Sequence, residues 1–298
     1  MQLWLDGRLA AAQDTCISPL AHGLHYGTGV FEGIRAYATP EGPAIFRLDE
    51  HLARLGRGAE VLGMVVDLDD LRRGCLEALA ASGLEAAYLR PLAFFETGGL
   101  GLDVAGLKVR TLVAALPWRN HLGEAEAQRG VSLRTSPFRR NPASALPPLK
   151  LCGAYVNSVL AKLEAARAGF EEALFVDGDG FVVECTGENV FLVKDGVLTA
   201  VEHPDALPGI TRATLLELTG AEARPVRLDE LREADEIFLT GTSAEVSAVG
   251  RLDARVFKTG PLTRELQARY QRIVHGEIET ERGWLTPLAA PLAAGGRP

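Results

Sequence analysis

The segment spanning residues 173–196 constrains the fold of this chain more than any other. It contains three short apolar runs, at 173–177, 181–185 and 189–193. The turn pairs between and after these runs are Asp179-Gly180, Gly187-Glu188 and Asp195-Gly196. Short apolar runs bounded by such turns are typical of β-strands, and an Asp-Gly pair is typical of a hairpin turn. The segment is therefore predicted to form an antiparallel β-meander.

Strands and helices alternate along the rest of the chain. Further strands are predicted in a hairpin over 3–10 with an Asp6-Gly7 turn, and at 30–37, 86–95, 108–116 and 236–240. The spacing of apolar residues predicts helices at about 68–82, 154–168 and 211–219, and another whose N-cap is Asp49. This alternation predicts an α+β fold with two sheet-containing halves.

A change of composition predicts where the chain divides. Residues 119–130 lose the strand pattern and are charged, as is typical of a connection between domains. We therefore expect a small domain over 1–118, an interdomain loop over 119–130 and a larger domain over 131–286. The tail, 287–298, is rich in Ala, Pro and Gly and is expected to be flexible.

The charge of the chain argues against two classes of partner. It has 31 Lys and Arg against 39 Asp and Glu, a net charge of −8, which disfavours nucleic acid or an anionic membrane surface as the main partner. No run approaches the roughly 18 apolar residues of a membrane-spanning helix. Residues 1–7 lack the basic start of a signal peptide. We expect a cytoplasmic, unprocessed protein.

The cysteines give no sign of a metal site. Cys16, Cys75, Cys152 and Cys185 have neither a Cys-x-x-Cys spacing nor the His partners of a zinc site. Reduced thiols are therefore expected, and no metal is predicted.

Lys150 is the one lysine, among five, that lies in an apolar stretch. It directly follows Leu146-Pro147-Pro148-Leu149 and precedes Leu151-Cys152-Gly153-Ala154-Tyr155. A lysine in an apolar site loses hydration, so its pKa falls and the neutral amine can act as a nucleophile or base. Alternatively, its stem packs while its ammonium group reaches water. The local sequence leaves both interpretations open.

Three other features would be ordinary alone. Glu184 lies in an apolar strand, where it is either on a solvated face or paired with a buried positive group. The turns 208–211 and 241–243 could bind a phosphate through backbone N–H groups and hydroxyls, or could be ordinary caps. Together with Lys150 they match the needs of pyridoxal phosphate, which requires a lysine for its aldehyde, an acid for its ring nitrogen and anion-binding turns for its phosphate.

Long motifs make a family resemblance specific. From about residue 3 to 285 the chain resembles the branched-chain amino acid aminotransferases, which are class IV (fold-type IV) pyridoxal phosphate enzymes. That resemblance implies a smaller α/β N-terminal domain and a larger, β-barrel-like C-terminal domain with helices. The blocks that carry it are HYGTGVFEGIRAY (25–37), FRLDEHLARL (46–55), YLRPLAFF (88–95), ALPW (115–118), KLCGAYVNSVLAKLEAARAGFEEALFVD (150–177), ECTGENVFLVKDG (184–196), LPGITR (207–212) and ADEIFLTGTSAEV (234–246).

The resemblance also implies roles in cofactor binding. Lys150 matches the lysine that forms the Schiff base and moves the proton, and Glu184 matches the acid paired with the pyridine nitrogen. Tyr155 matches the tyrosine bonded to the cofactor's O3′, and Leu207 matches the residue packed on its ring. The implied phosphate-binding residues are Arg54, Ile210, Thr211 and Thr242.

Substrate-binding positions follow from the same resemblance. The α-carboxylate binders are Tyr88 with the amides of Thr242 and Ser243, and the side-chain pocket is lined by Phe31, Gly33 and Trp118. Arg90 and Tyr26 match the residues that receive the γ-carboxylate of glutamate, a role that suits the two-pronged arginine fork. In the family a neighbouring subunit closes part of this pocket, which implies a homodimer or higher homo-oligomer.

The chain departs from the family pattern beside the pocket. Trp118-Arg119-Asn120-His121 stands where bacterial members often have Trp-Gly-Ala-Tyr, so His121 replaces a pocket tyrosine. Thr135-Ser136-Pro137-Phe138-Arg139 replaces a common Ser-Ser-Trp-x-Arg, and Cys152-Gly153 replaces a glycine pair. None of these changes touches the implied cofactor residues, but they bear on substrate preference.

The resemblance implies transamination of leucine, isoleucine or valine with 2-oxoglutarate, giving 2-oxo acids and L-glutamate. Two alternatives are an aminodeoxychorismate lyase, which shares the fold, and a D-amino acid or (R)-amine transaminase; the motifs Tyr88-Leu89-Arg90 and TGTSAEV (240–246) favour the branched-chain group over both. A third alternative, a carrier of pyridoxal phosphate without activity, would leave Arg90 and Tyr88 without a role.

Overall fold

The computed structural model describes residues 1–118 and 129–288, and these form two compact units. The first comprises Met1–Leu24, Phe31–Trp118 and the described residues from Gln271 onward. The second comprises His25–Val30 and the described residues from 129 to Tyr270. Most of the predicted interdomain loop, with His121, and nearly all of the predicted tail lie outside the described residues.

The units differ from the predicted domains in two segments. Residues 25–30 belong to the second unit, where the Gly153 N–H donates to the Gly27 carbonyl at 3.0 Å. Residues from Gln271 belong to the first unit, where a late strand, Leu285–Pro287, pairs with Gly42–Phe46. Both assignments depend on backbone pairing between distant segments, which composition does not report.

The described residues contain seven α-helices and three short 3-10 helices. The α-helices are α1 (His22–Tyr26), α2 (Leu48–Val61), α3 (Leu68–Ser82), α4 (Tyr155–Arg167), α5 (Ile210–Thr219), α6 (Leu228–Arg232) and α7 (Pro261–Val274). The 3-10 helices are Ala12–Asp14, Cys152–Ala154 and Glu279–Trp284. The predicted helices near 68–82, 154–168 and 211–219 are confirmed to within a residue at each end.

The strands fall into two sheets. They are β1 (Gln2–Leu5), β2 (Arg8–Ala11), β3 (Gly29–Phe31), β4 (Ile34–Thr39), β5 (Gly42–Phe46), β6 (Ala87–Phe95), β7 (Val109–Pro117), β8 (Val131–Thr135), β9 (Glu172–Val176), β10 (Val182–Cys185), β11 (Asn189–Lys194), β12 (Val197–Val201), β13 (Glu222–Arg224), β14 (Glu236–Gly241), β15 (Glu245–Leu252), β16 (Arg255–Val256) and β17 (Leu285–Pro287).

The sheet of the first unit has the order β17-β5-β4-β6-β7-β1-β2, and α3 packs on β1 and β7. Gly74 permits this packing, because an added Cβ would lie 2.5 Å from the buried ring of Trp4. The predicted hairpin over 3–10 is confirmed as β1 and β2, whose turn residues Asp6 and Gly7 both have positive φ.

The predicted cap of α2 is wrong. The helix begins at Leu48, its N-cap is Arg47 in the left-handed region at φ 52°, and Asp49 lies in the first turn. The Arg47 guanidinium pairs with Glu50 and stacks 4.0 Å from the Trp284 ring centroid. These side-chain contacts accompany a backbone conformation that arginine rarely adopts. Asp49 instead lies in the first turn, where its negative charge is close to the positive end of the helix dipole.

The sheet of the second unit has the order β10-β9-β8-β15-β14-β11-β12-β13, with β16 on β15. One hairpin of the predicted meander is confirmed, β9 with β10, and the predicted Asp195-Gly196 turn joins β11 to a further strand, β12. The predicted pairing of the second strand with the third is wrong, because β10 and β11 form no ladder with each other. Strand β10 nevertheless packs beside β11 and β12. The sheet therefore curls on itself, and buried aliphatic side chains of β9, β10, β11 and β14 fill its interior.

None of the described helices is long and apolar enough to span a membrane.

Candidate active site

Lys150 and Tyr155 meet in the second unit. Leu151 forms an isolated bridge with Val30, and the following 3-10 helix leads directly into α4, whose first residue is Tyr155. This tight connection turns the two side chains together: Lys150 Nζ donates to Tyr155 Oη at 2.6 Å and lies 4.9 Å from the ring centroid. Both residues are half-buried, and the amine is hydrogen-bonded to the tyrosine hydroxyl.

Glu184 is a buried carboxylate on β10, and only 4% of its surface is exposed. The Nε of Arg140 lies 2.9 Å from its Oε1, while the Leu207 N–H and the Asn189 side-chain amide donate to Oε2 at 3.0 and 3.3 Å. Burial raises the pKa of Glu184 to about 7, although Arg140, the Leu207 amide and Lys150 act in the opposite direction. The buried alternative of the sequence-based prediction is therefore the observed one.

The hydrogen bonds of Glu184 leave room for one more donor. A carboxylate offers about four lone-pair sites, and the described residues fill three of them, two on Oε2 and one on Oε1. A protonated ring nitrogen is a donor of the required kind. Thr240, which pairs with Asn189 across β14 and β11, has a buried hydroxyl without a partner among the described residues. The donor set thus fits pyridoxal phosphate.

The turns proposed to bind phosphate are also in the second unit. Helix α5 begins at Ile210 after Gly209 with no side-chain cap, so its first N–H groups are available to an anion. Gly209 is required there, because an added Cβ would lie 1.9 Å from Asn189 Oδ1. Thr242 and Ser243 lie in the turn between β14 and β15.

The first unit gathers five of the eight residues assigned to the substrate carboxylate and side chain. Tyr88 and Arg90 are two residues apart and share one face of β6, and Arg90 Nη2 donates to Tyr88 Oη at 3.1 Å. The Trp118 ring stacks on Tyr88 at 5.2 Å, and the Arg90 guanidinium lies 4.8 Å above the Phe31 ring. Gly33 makes this arrangement possible, because an added Cβ would lie 1.8 Å from Tyr88 Oη.

Arg90 retains hydrogen-bonding capacity for a ligand. Its Nε is buried and has no hydrogen-bond partner among the described residues. An unsatisfied, buried guanidinium N–H is costly unless an acceptor such as a carboxylate arrives. Arg35, which the sequence-based assignment omitted, lies in the same cluster, with its guanidinium 4.5 Å from the Trp118 ring and 4.6 Å from that of Tyr37. An arginine inside the apolar strand 34–37 was the signal that could have found it.

Arg54 is held by a buried carboxylate that the sequence-based assignment also missed. Glu32 is fully buried, and Arg54 Nε and Nη2 donate to its two oxygens at 2.6 and 2.9 Å. His51 Nδ1 lies 2.7 Å from Glu32 Oε2. Burial opposes ionisation of Glu32, but Arg54 and His51 keep its pKa well below its ordinary value. The Arg54 guanidinium is therefore fixed on α2.

The two units thus carry different parts of the predicted site. The first unit holds Phe31, Gly33, Arg54, Tyr88, Arg90 and Trp118; all but Arg54 form the cluster around Tyr88. The second unit holds Tyr26, Lys150, Tyr155, Glu184, Leu207, Ile210, Thr211, Thr242 and Ser243. Among these, Tyr26 is exposed at the end of α1, whereas Lys150 with Tyr155 and Glu184 with Leu207 are in direct contact.

Glu188 should make stability depend on pH. Burial and the nearby Glu172 carboxylate raise its pKa from 4.5 to about 7, against the effect of Lys162. The folded chain keeps a proton that the unfolded chain releases above about pH 4.5, so this stabilisation is present at acid pH and lost as pH rises through 7. The unfolding free energy of cofactor-free protein, measured in urea, should fall between pH 5 and pH 8. In Glu188→Gln this fall should be smaller than in the wild-type protein by about 1–3 kcal/mol. An unaltered pH dependence would count against this assignment.

Comparison with known proteins places the chain in a family. The profile described as "Amino-transferase class IV" matches residues 29–252. The branched-chain-amino-acid aminotransferase of Pseudomonas aeruginosa is 40% identical over 295 residues, covering 95% of this chain and 96% of the relative. The enzyme of the same name from Escherichia coli is 36% identical over 296 residues, covering 95% and 96%.

Solved structures of branched-chain amino acid aminotransferases also resemble this chain. The branched-chain aminotransferase of the thermophilic archaeon Thermoproteus uzoniensis, solved with norvaline, has a TM-score of 0.91 and 36% identity, covering 97% of this chain and 99% of that one. The Escherichia coli branched-chain amino acid aminotransferase has a TM-score of 0.90 and 36% identity, covering 96% and 99%. The predicted α+β fold of the fold-type IV enzymes is thereby confirmed. A further structure of a branched-chain amino acid aminotransferase, at a TM-score of 0.92 and 40% identity over 96% of this chain and 98% of that one, contains pyridoxamine 5′-phosphate. This chain belongs to the class IV aminotransferases and, within them, to the branched-chain amino acid aminotransferase family.

Proposed function

We propose that this protein is a pyridoxal phosphate-dependent transaminase that moves the amino group of leucine, isoleucine or valine to 2-oxoglutarate, giving 2-oxo acids and L-glutamate. The observation that carries the proposal is the buried Glu184 carboxylate, with one acceptor site left, in the same unit as the Lys150–Tyr155 pair. A ring acid and a hydrogen-bonded lysine are what this cofactor needs from a protein. Relatives bearing the name of this activity support the choice of substrate.

The residues of the second unit act on the cofactor and on one proton. When bound, pyridoxal phosphate supplies a ring that accepts the electrons of the substrate Cα–H bond. Glu184 would keep a proton on the ring nitrogen, and the N–H groups at the start of α5 would bind the phosphate. With the cofactor bound, Lys150 Nζ would hold its aldehyde carbon and, once displaced by the substrate amine, would carry the proton from the substrate Cα to the cofactor's C4′. The Tyr155 hydroxyl, which accepts a hydrogen bond from Nζ, orients that amine.

The first unit provides the means to accept two kinds of substrate. Phe31 and Trp118 offer aromatic surface for a branched aliphatic side chain, while Arg90 and Tyr88 offer donors for a carboxylate. Arg90 lies over Phe31, so an apolar group and a carboxylate can be received by adjoining surfaces. This accounts for alternation between a branched-chain amino acid and glutamate.

A screen of amino donors with 2-oxoglutarate tests the proposal. L-Leucine, L-isoleucine and L-valine should each yield L-glutamate at rates at least about tenfold above those with D-amino acids or chiral (R)-amines, because a pocket shaped for one donor is expected to discriminate in this range. Faster reaction with D-alanine or an (R)-amine would establish one alternative. Pyruvate release from aminodeoxychorismate would establish the lyase, and cofactor binding without turnover would establish a carrier.

We also infer that the protein works as a homodimer or larger homo-oligomer in the cytoplasm. Helix α4 exposes an apolar stripe at helical spacing, formed by Val156, Val159, Leu160 and Leu163 with 61%, 54%, 46% and 47% of their surfaces exposed. An apolar stripe is complementary to a second copy of itself, so another copy of the chain is the occupant that suits it. The free thiols of all four cysteines fit a reducing compartment.

Sedimentation equilibrium checks the assembly. The wild-type protein should have at least twice the mass of the chain, and Leu160→Arg should shift it towards monomer, because a charge would be buried in the interface. Val197→Arg, at an exposed valine on β12, is the matched control and should leave the mass unchanged. A monomeric wild-type protein would exclude the oligomer.

A further inference from the structure

Arg140 forms a buried ion pair with Glu184 that the sequence did not indicate. Its side chain is buried, with 8% of the residue exposed, and it lies five residues after the end of β8. Besides the contact of Nε with Glu184 Oε1 at 2.9 Å, Nη1 donates to Ser158 Oγ at 3.2 Å. The guanidinium also lies 5.7 Å from the Phe175 ring centroid. Three contacts on three elements therefore hold the fork in one orientation.

Stability alone does not account for this pair. Taking two charges out of water costs several kcal/mol per ion, and apolar replacements of a buried pair are often as stable. The other donors to Glu184, Leu207 and Asn189, are neutral amides. In the described part of the chain, four charged or titratable groups interact with Glu184. Arg140 and Lys150 favour its ionised form, whereas Glu188 and Cys185, when ionised, repel it. Arg140 is the charged group bonded to Glu184 among the described residues.

The electrostatic consequence concerns one proton. When a carboxylate and a ring nitrogen share a proton, the more basic partner holds it. A guanidinium bonded to the carboxylate stabilises its ionised form and lowers its basicity. We propose that Arg140 is a positioning residue which opposes protonation of Glu184 and thereby leaves the shared proton on the ring nitrogen of bound pyridoxal phosphate. This inference rests on the proposed function.

Nitrogen-15 NMR of the holoenzyme loaded with ring-labelled pyridoxal phosphate tests it, since the ring shift differs between protonated and unprotonated nitrogen. At about neutral pH, wild-type protein should give the shift of a protonated ring nitrogen, which requires that Glu184 does not hold the shared proton. Arg140→Met, which keeps the stem and removes the charge, should move the signal towards the unprotonated position and lower kcat by about 10–100-fold. Arg140→Lys, which restores a charge, should return the shift towards the wild-type value. Glu184→Gln supplies the unprotonated reference.

Arg139→Met is the matched control. The Arg139 guanidinium donates to the carbonyls of Val176 and Asp177 and not to Glu184, so this variant should keep the protonated ring shift even if its thermal stability falls. If Arg140→Met does not fold, Arg140→Gln provides the same measurement. A wild-type shift in either neutral variant, or an unprotonated ring in the wild-type holoenzyme, overturns the proposal. Failure of the wild-type protein to bind pyridoxal phosphate would instead refute the proposed function.

Discussion

Replacing Lys150 with alanine should abolish transamination, with kcat reduced at least about 10⁴-fold. The amine would be lost both as the group that holds the cofactor's aldehyde carbon and as the base that removes the Cα proton. The visible absorption of the bound cofactor should shift at the same time, because that band depends on its bond to the lysine. Stopped-flow turnover with L-leucine and an absorption spectrum of the purified variant make both measurements.

Lys194→Ala is the control for this variant. Lys194 is a partly exposed lysine at the end of β11, paired with Glu233, and its removal should leave both spectrum and turnover at wild-type levels. A Lys150→Ala protein with an unchanged spectrum would remove Lys150 from the proposed site.

Replacing Arg90 with alanine should separate the two kinds of substrate. We expect kcat/KM for L-glutamate and 2-oxoglutarate to fall about 10²-fold or more, because truncating one partner of a buried charge pair costs roughly 2–5 kcal/mol. L-Leucine should lose less than about tenfold, because its aliphatic side chain needs only the apolar surface of Phe31 and Trp118. Steady-state kinetics of both half-reactions give the ratio.

Arg110→Ala controls for loss of an arginine from the same sheet. Arg110 lies on β7 and pairs with Asp6 and Glu96, so its removal should leave the ratio of leucine to glutamate unchanged. Equal losses for the two substrates in Arg90→Ala would show that Arg90 does not bind the γ-carboxylate.

Local sequence predicted elements well and their partners poorly. Helix α3 was predictable because it has an N-cap, Asp67, whose side chain accepts from the Asp70 N–H, and a terminal glycine, Gly83, in the left-handed region. The start of α2 was not, because Trp284 reaches Arg47 from the far end of the chain. The strands β10 and β11 were located correctly, but four other strands lie between them in the sheet.

The candidate site divides in the same way. The resemblance to family motifs indicated Lys150, Tyr155 and Glu184, because each lies inside a long motif block. Arg140, Glu32 and Asn189 were missed, because each is recognisable only by the group it contacts.

The sequence by itself determined the family, the α+β class, the turn-bounded strands and the lysine, acid and arginine types on which the chemistry depends. Those properties are encoded in residues close together in the chain or in long motifs. Only the tertiary structure decided which groups balance the charge of the site: the buried Arg140 beside Glu184 and the buried Glu32 beside Arg54. A carboxylate's ionisation depends on burial and on the nearest charges, and those neighbours come from distant segments that meet only when the sheets and helices pack.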